Sequence, residues 1–125
     1  DLTFPDADIE LQGENTQTVL FSCTRSEDTC FLATNGNVTV TNLTIQNCRS
    51  AILTNQHNVD IQFVDFVNIS RTAIGFDGGN ILNIFSVKME NETNPIYLQG
   101  DISQIFISNV NVNITTGSAI YSEAK

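Results

Sequence analysis

A segment of 21 to 24 residues occurs four times in succession, and this repeat constrains the fold more than any other feature of the chain. The first copy is Gly36 to Gln56, GNVTVTNLTIQNCRSAILTNQ. Within each copy, apolar residues alternate with polar ones in two short runs, and an apolar third run follows after a longer gap. Alternation with period two marks strands that bury one face. A repeat of this length is typical of one coil of a solenoid.

The aligned copies form five apolar columns. The columns are Val38, Val59, Leu82 and Ile105; Val40, Ile61, Ile84 and Ile107; Leu43, Val64, Val87 and Val110; Ile45, Phe66, Met89 and Val112; and Ile52, Ile74, Ile96 and Ile120. One coil cannot bury its own apolar edge, but a second coil stacked about 4.8 Å above it closes a continuous core. We therefore predict an all-β fold, a right-handed single-stranded parallel β-helix of about five coils. A sandwich of antiparallel strands also has short strands and polar turns, but it has no reason to repeat one register four times.

Residues 36 to 122 resemble the pectin-lyase-like superfamily of right-handed β-helices, whose coils commonly read nVtItNltIqN followed by gI. The segments Ser50-Ala51-Ile52, Thr72-Ala73-Ile74 and Gly117-Ser118-Ala119-Ile120 are similar to the Gly-Gly-Ala-Ile repeats of polymorphic outer-membrane proteins and related surface adhesins. The resemblance implies the fold. It does not specify a function, because the same solenoid serves lyases, hydrolases, adhesins and fibre proteins.

The chain is predicted to form one domain, since 125 residues are enough for one core and few for two. Residues 36 to 122 are the four regular coils. Residues 1 to 35 are predicted to form an irregular opening coil, in which Ile9 and Leu11, Val19 and Phe21, and Phe31 lie beneath the first members of the columns. A longer loop, Ser22 to Thr29, interrupts this coil.

Cysteines bracket that loop. In an extracellular chain the simplest prediction is a disulfide between Cys23 and Cys30, which leaves Cys48 free or paired outside the chain. Cys48 falls in the corresponding loop one coil later, so a Cys23 to Cys48 pairing is the alternative.

No metal or cofactor is predicted. His57 is the only histidine, it falls in a turn, and the chain has no Cys-x-x-Cys spacing. The Asp77-Gly78-Gly79 turn, with Asp101 one coil later, could hold calcium weakly. A plain glycine turn explains these residues better.

Asn-x-Ser/Thr sequons, the acceptors of N-linked glycans, are frequent in the chain. They occur at Asn37, Asn42, Asn68, Asn91 and Asn113. We predict glycans at some of Asn68, Asn91 and Asn113, which recur once per coil just after the fourth column, and count Asn37 as a further candidate. The alternative is a ladder of stacked Asn side chains that stabilises the bends. We favour a ladder or turn role for Asn42 and Asn109, since they fall in the two-residue bends.

Composition excludes several classes of partner. The formal net charge is −9, with only Arg25, Arg49, Arg71, Lys88 and Lys125 basic, which argues against nucleic acid and anionic membranes. No apolar run approaches the ~18 residues that a membrane span needs. The chain has neither a signal peptide nor an initiator Met, so we expect a processed mature protein or a piece of a longer one, located outside the cell or on its surface.

An enzymatic role is not predicted. The hydrolases with which the resemblance invites comparison carry Asn-Thr-Asp, Asp-Asp, Gly-His-Gly and Arg-Ile-Lys segments, and none of these is present. Lyases need an Asp cluster and a basic residue on one sheet. Asp60 and Asp65 share a coil, and Arg49 and Arg71 lie one coil apart, but solvated surface charge explains them better.

Neither end of the chain shows an amphipathic helix that could cover the core. Exposed strand edges of this kind are normally covered in natural solenoids. Either the chain continues or the ends meet another copy. We predict a non-catalytic, extracellular structural protein, an N-glycosylated subunit of a surface fibre or filament that associates head to tail. The alternatives are a segment of a larger adhesin or carbohydrate-binding β-helix and, third, a polysaccharide-cleaving enzyme.

Overall fold

The computed structural model describes residues 2–4, 9–13, 20–22, 29–33, 37–55, 58–91, 95–114 and 120–124. All regular structure in these ranges is β-strand, and every strand pair is parallel. The strands are β1 (Leu2–Phe4), β2 (Ile9–Gln12), β3 (Leu20–Ser22), β4 (Thr29–Ala33), β5 (Val38–Gln46), β6 (Ser50–Asn55), β7 (Val59–Ile69), β8 (Thr72–Asn91), β9 (Ile96–Ile114) and β10 (Ile120–Ala124). Parallel pairing throughout rules out the antiparallel sandwich. The chain is a parallel β-solenoid, as the repeat predicted.

The pairing register confirms the apolar columns. Val59 of β7 lies opposite Val38 of β5 and Leu82 of β8, and Leu82 lies opposite Ile105 of β9. The column that begins at Ile45 continues in the same way through Phe66, Met89 and Val112. The column of isoleucines runs from Ile52 through Ile74 and Ile96 to Ile120. Equivalent residues of the repeat therefore stack directly on one another.

The number of turns differs from the prediction. The structure describes about three complete turns, not five. Strands β1 to β4 and β10 pair onto these turns at either end. Segments that would close the outer coils, among them 14–19, 23–28 and 115–119, lie outside the described residues.

The core fills the interior of the described turns. The largest side chains that are fully buried include Phe66, Phe76, Ile61, Ile84 and Met89. Burying a side chain of this size stabilises the fold by ~1.5–3 kcal/mol. Polar residues alternate with these apolar ones along the strands and face outward, as period-two alternation requires.

Two columns of residues with positive φ bend the coils. One column contains Asn42, Phe63, Ser86 and Asn109, with φ between 53° and 57°. The other contains Asn47 and Asn68, with φ of 59° and 54°. A single residue in the left-handed region turns a strand without reversing it, and Asn tolerates that region better than most residues.

Residues 1 to 35 supply four short strands. Ile9 and Leu11 of β2 lie opposite Val38 and Val40, and Phe21 of β3 lies opposite Ile45. Phe31 lies opposite Ile52. The predicted placements of these residues are thus confirmed, whereas Val19 lies outside the described residues. Strand β1, which pairs with β4, was not predicted.

Candidate functional site

The last described coil exposes part of the apolar core. Its column members Ile105, Ile107, Val110 and Val112, which we call the end surface, lie in β9. Ile105 is 40% exposed, whereas Leu82 directly beneath it is 0% exposed. Ile107, Val110 and Val112 are only partly buried against the core. Strand β10 pairs with positions 96–100 of β9, and no described strand pairs with the remainder of β9 on that side.

A groove of about 390 Å³ lies along one bend of the solenoid. We call it the bend groove. The bend column and the strand that follows it form its lining, which consists of Asn42, Phe63, Asp65, Ser86, Val87, Lys88, Asn109 and Asn111. The volume lies within the ~300–1,000 Å³ that is usual for small-molecule sites. The lining comes from β5, β7, β8 and β9, so the groove crosses neighbouring coils along the solenoid axis.

Phe63 is the aromatic wall of the bend groove. It is 44% exposed and has φ of 54°. Its ring meets the ring of Phe85 edge to face, with centroids 5.6 Å apart and planes at 88°. This geometry is favourable for an aromatic pair and supports the Phe63 ring from one side.

Polar groups complete the lining. The amide nitrogen of Asn109 donates a hydrogen bond to the hydroxyl oxygen of Ser86 one coil below, at 3.2 Å. Asp65 and Lys88 lie directly opposite each other in the pairing of β7 with β8. Sequence analysis did not find this groove. The signal was present, since Phe63 is the one aromatic residue in a bend column of Asn and Ser.

The sequons fall on different surfaces of the solenoid. Asn37, Asn68 and Asn113 are exposed, and Asn42 is partly buried in its bend. Asn37 also accepts a hydrogen bond from the backbone N–H of Asn58, at 3.2 Å. Asn91 ends β8, and only its backbone is described. Glycan attachment at Asn37, Asn68, Asn91 and Asn113 stays a prediction.

The three sequons that recur once per coil, Asn68, Asn91 and Asn113, do not stack on one another. Asn91 lies opposite Ile69 and Ile114, not opposite Asn68 and Asn113. The register shifts between Phe66 and Ile69. This shift offsets Asn68 from Asn91, and Asn113 lies opposite Glu90 in the unshifted pairing of β8 with β9, so the three sequons do not form a single column.

An asparagine ladder is present, but in the second bend. The amide nitrogen of Asn68 donates to the amide oxygen of Asn47 at 2.9 Å. In the first bend, Asn42 and Asn109 have the positive φ expected of turn residues, yet Phe63 and Ser86 separate them, so they do not form a ladder together. The ladder and glycan roles do not exclude each other at Asn68, because its side chain is both hydrogen-bonded across the coils and exposed.

Cys48 is disulfide-bonded and 1% exposed, in the bend between β5 and β6. Cys23 and Cys30 are the only other cysteines, so a Cys23 to Cys30 bridge that leaves Cys48 over is wrong. Cys23 lies outside the described residues, and Cys30 is described only through its backbone in β4. Coils stack at this bend, and Ser22 at the end of β3 lies opposite Gln46, two residues before Cys48.

The charged residues that we considered for catalysis either accept structural hydrogen bonds or lie exposed on the surface. A carboxylate oxygen of Asp60 accepts hydrogen bonds from Gln62 at 2.9 Å and Asn83 at 3.1 Å. Arg49 and Arg71 are both exposed, and the backbone N–H of Arg71 donates to the Arg49 carbonyl at 2.8 Å.

The Asp77 turn contains Gly78 with φ of 74°, close to Asp101 of β9. A Cβ on Gly100 would lie 3.0 Å from the Gly78 nitrogen, so the two coils meet here backbone to backbone. No group of three or more potential metal ligands occurs in the part of the chain that the structure describes. His57 lies outside that part.

Comparisons with known proteins do not assign the chain to a family. No protein-family model, no curated protein and no solved structure matches the chain. The resemblance to pectin-lyase-like coils and adhesin repeats therefore has only the shared solenoid architecture behind it. Within the described residues, no helix has the length and apolar character to cross a membrane.

Proposed function

We propose that the chain is a non-catalytic extracellular structural protein, a subunit of a surface fibre or filament in which β-solenoids stack end to end. The observation that carries this proposal is the end surface, where Ile105 is 40% exposed above a core whose other described turns are closed. An exposed apolar coil with an unpaired strand edge is a template for another coil. We also propose that the subunits carry N-linked glycans and belong to the pectin-lyase-like type of β-helix.

The register at the two ends supports stacking. Strand β2 occupies the columns that begin at Val38 and Val40, and β9 occupies the same columns at Ile105 and Ile107. Strand β2 of a second copy would place Ile9 and Leu11 next in these columns. The two ends therefore carry compatible patterns, and a head-to-tail contact would continue the core in register. Such a contact is heterologous and open, which generates filaments rather than closed dimers.

Two faces of the solenoid differ in their number of strand layers, and this difference affects how two copies can stack. The described ladder through β2, β5, β7, β8 and β9 has five strand layers, whereas the ladder through β1, β4, β6, β8, β9 and β10 has six. Strand β10 of one copy and β1 of the next would compete for the same layer. At about 4.8 Å per layer, the axial repeat is about 24 Å if one of them is displaced, and about 29 Å if both stay.

Electron microscopy of the purified chain tests the proposal. We expect filaments with an axial repeat of about 24 Å, or about 29 Å if both strands are retained. The variant Ile107→Lys should abolish filaments because it places a charge in the contact. The matched control is Phe106→Lys, one residue away and 53% exposed on the outer face, which should still assemble. Monomers at every concentration would contradict the proposal and favour a segment of a larger adhesin or carbohydrate-binding β-helix.

A further inference from the structure

The bend explains the positive φ of Phe63 but not why a phenylalanine occupies this position. A bulky residue with positive φ is an outlier, and such strain concentrates at functional sites. Asn42 and Asn109 meet the same backbone requirement in other coils with a residue that tolerates it. Phe63 instead holds an aromatic ring 44% exposed in the bend groove. The ring therefore serves the outer surface rather than the bend.

The groove lining is uncharged overall. Asp65 and Lys88 contribute opposite charges, although the whole chain has a net charge of −9. The amides of Asn42, Asn109 and Asn111 each offer donors and an acceptor, and side chains of this type bond to hydroxyl groups in either sense. A neutral ligand with many hydroxyl groups matches this lining, whereas an anion would also meet the negative field of the chain.

The shape of the groove favours a linear ligand. It extends from the Asn42 bend to the Asn109 bend, three coil spacings apart, or about 14 Å. Strands β5, β7 and β8 are each paired on both sides, and only β9, at the last coil of the groove, has no described strand beyond it. A peptide could therefore add as a strand along β9 only, and not along the length of the groove. A saccharide ring, by contrast, can place its C–H face on an aromatic ring while its hydroxyl groups bond to amides.

We propose that the bend groove binds a linear, neutral oligosaccharide that lies along the solenoid axis and stacks one sugar ring on Phe63. Phe85 positions the Phe63 ring through their edge-to-face contact. The amides of Asn42, Asn109 and Asn111 bond to the sugar hydroxyl groups. The groove runs along the side of the solenoid and reaches the end coil only at Asn109 and Asn111, so Phe63 and Asn42 remain accessible whether or not copies stack end to end.

The test is calorimetric titration of the intact chain with cellohexaose, xylohexaose, mannohexaose and maltohexaose, and with hexagalacturonate as the anionic comparison. We expect at least one neutral oligosaccharide to bind more tightly than hexagalacturonate. The variant Phe63→Asn should weaken that binding at least about tenfold, because it removes the stacking surface and keeps a residue suited to positive φ. The control Phe106→Asn removes an exposed phenylalanine that does not line the groove, and it should bind as the parent does.

A second variant tests the charge argument. Asp65→Asn leaves Lys88 as the only charge in the lining, so it should narrow the preference for neutral over anionic saccharide. The proposal is overturned if no neutral oligosaccharide binds, if hexagalacturonate binds as tightly as the neutral ligands, or if Phe63→Asn binds like the parent. Preferential binding of a polyproline peptide at Phe63 would also overturn it. Circular dichroism of each variant verifies that the solenoid remains folded.

Discussion

Strands β7 and β9 carry the same repeat but differ in burial. Val59, Ile61 and Phe66 of β7 are at most 2% exposed. Their column equivalents in β9 are Ile105, which is 40% exposed, and Ile107 and Val112, which are partly buried. The difference lies in the neighbours, because β7 has a strand on each side and most of β9 has a described strand on one side only.

The repeat determines which side chains point inward, whereas the neighbouring coils determine how completely those side chains are buried. The alternation of apolar and polar residues sets the direction of each side chain. Burial requires a second coil on the far side. A repeat of this kind is stabilised by its neighbours, so the end coils are the weakest part of the solenoid and its most available surface.

The largest expected contrast is between two phenylalanines. Phe66→Ala should lower the free energy of unfolding by about 3–5 kcal/mol, because the side chain is fully buried between coils. Phe106→Ala removes a ring that is 53% exposed and should change it by less than about 1 kcal/mol. Urea denaturation followed by circular dichroism measures both. Equal losses would show that the core does not follow the columns.

The disulfide of Cys48 is expected to make the next largest contribution to the stability of the chain. Replacing Cys48 with Ser should destabilise the chain by about 2–4 kcal/mol, since it releases the staple that holds this bend. Ser22 pairs with Gln46, so Cys23 follows one residue beyond the pair and Cys48 two residues beyond it. We therefore expect Cys23 as the partner.

Peptide mapping under non-reducing conditions assigns the partner directly. A Cys23 to Cys48 peptide would agree with the register of β3. A Cys30 to Cys48 peptide would show that Cys23 is not the partner, but it would leave the disulfide of Cys48 in place. A native protein in which Cys48 is a free thiol would contradict the structure itself.

Alanine substitutions at two positions of one column should show how the loss of stability depends on the position of the coil in the stack. Ile61→Ala is expected to cost about 2–5 kcal/mol, because Ile61 is 0% exposed. Ile107→Ala should cost less than half as much in the monomer, since its side chain is only partly buried. If copies stack on the end surface, the cost at Ile107 rises with protein concentration. Thermal unfolding at several concentrations separates these effects.

The smallest expected effect concerns the second bend. Asn68→Ala removes the hydrogen bond to Asn47 and puts a residue that tolerates φ of 54° less well than Asn at this bend, with an expected cost of about 1–2 kcal/mol. Asn68→Gly removes the same bond but suits the backbone, so its cost should be smaller. Chemical denaturation of the pair isolates the backbone contribution. A larger loss for glycine would contradict the left-handed conformation.

The columns could be predicted from sequence because buried side chains leave a periodic signature. The repeat therefore specified the solenoid and the partners of Val38, Ile45 and Ile52. The offset between Asn91 and Asn113 could be read from the sequence, because Asn91 follows Met89 by two residues and Asn113 follows Val112 by one. The offset between Asn68 and Asn91 could not, since the register shift after Phe66 changes no residue type. Likewise, the positive φ of Phe63 contradicts local preference and follows only from its stacked position. The spacing along the chain allowed two pairings of the cysteines, and only the disulfide-bonded state of Cys48 disfavours the one that leaves Cys48 free.

Amide hydrogen exchange, measured by NMR on dilute monomer, distinguishes an open end coil from a covered one. We expect strong protection throughout β7, and fast exchange for those amides of Ile102 to Ile114 that face away from β8. Protection of these β9 amides equal to that of β7 would contradict an open end coil. Fast exchange throughout β7 would contradict the stacked solenoid itself.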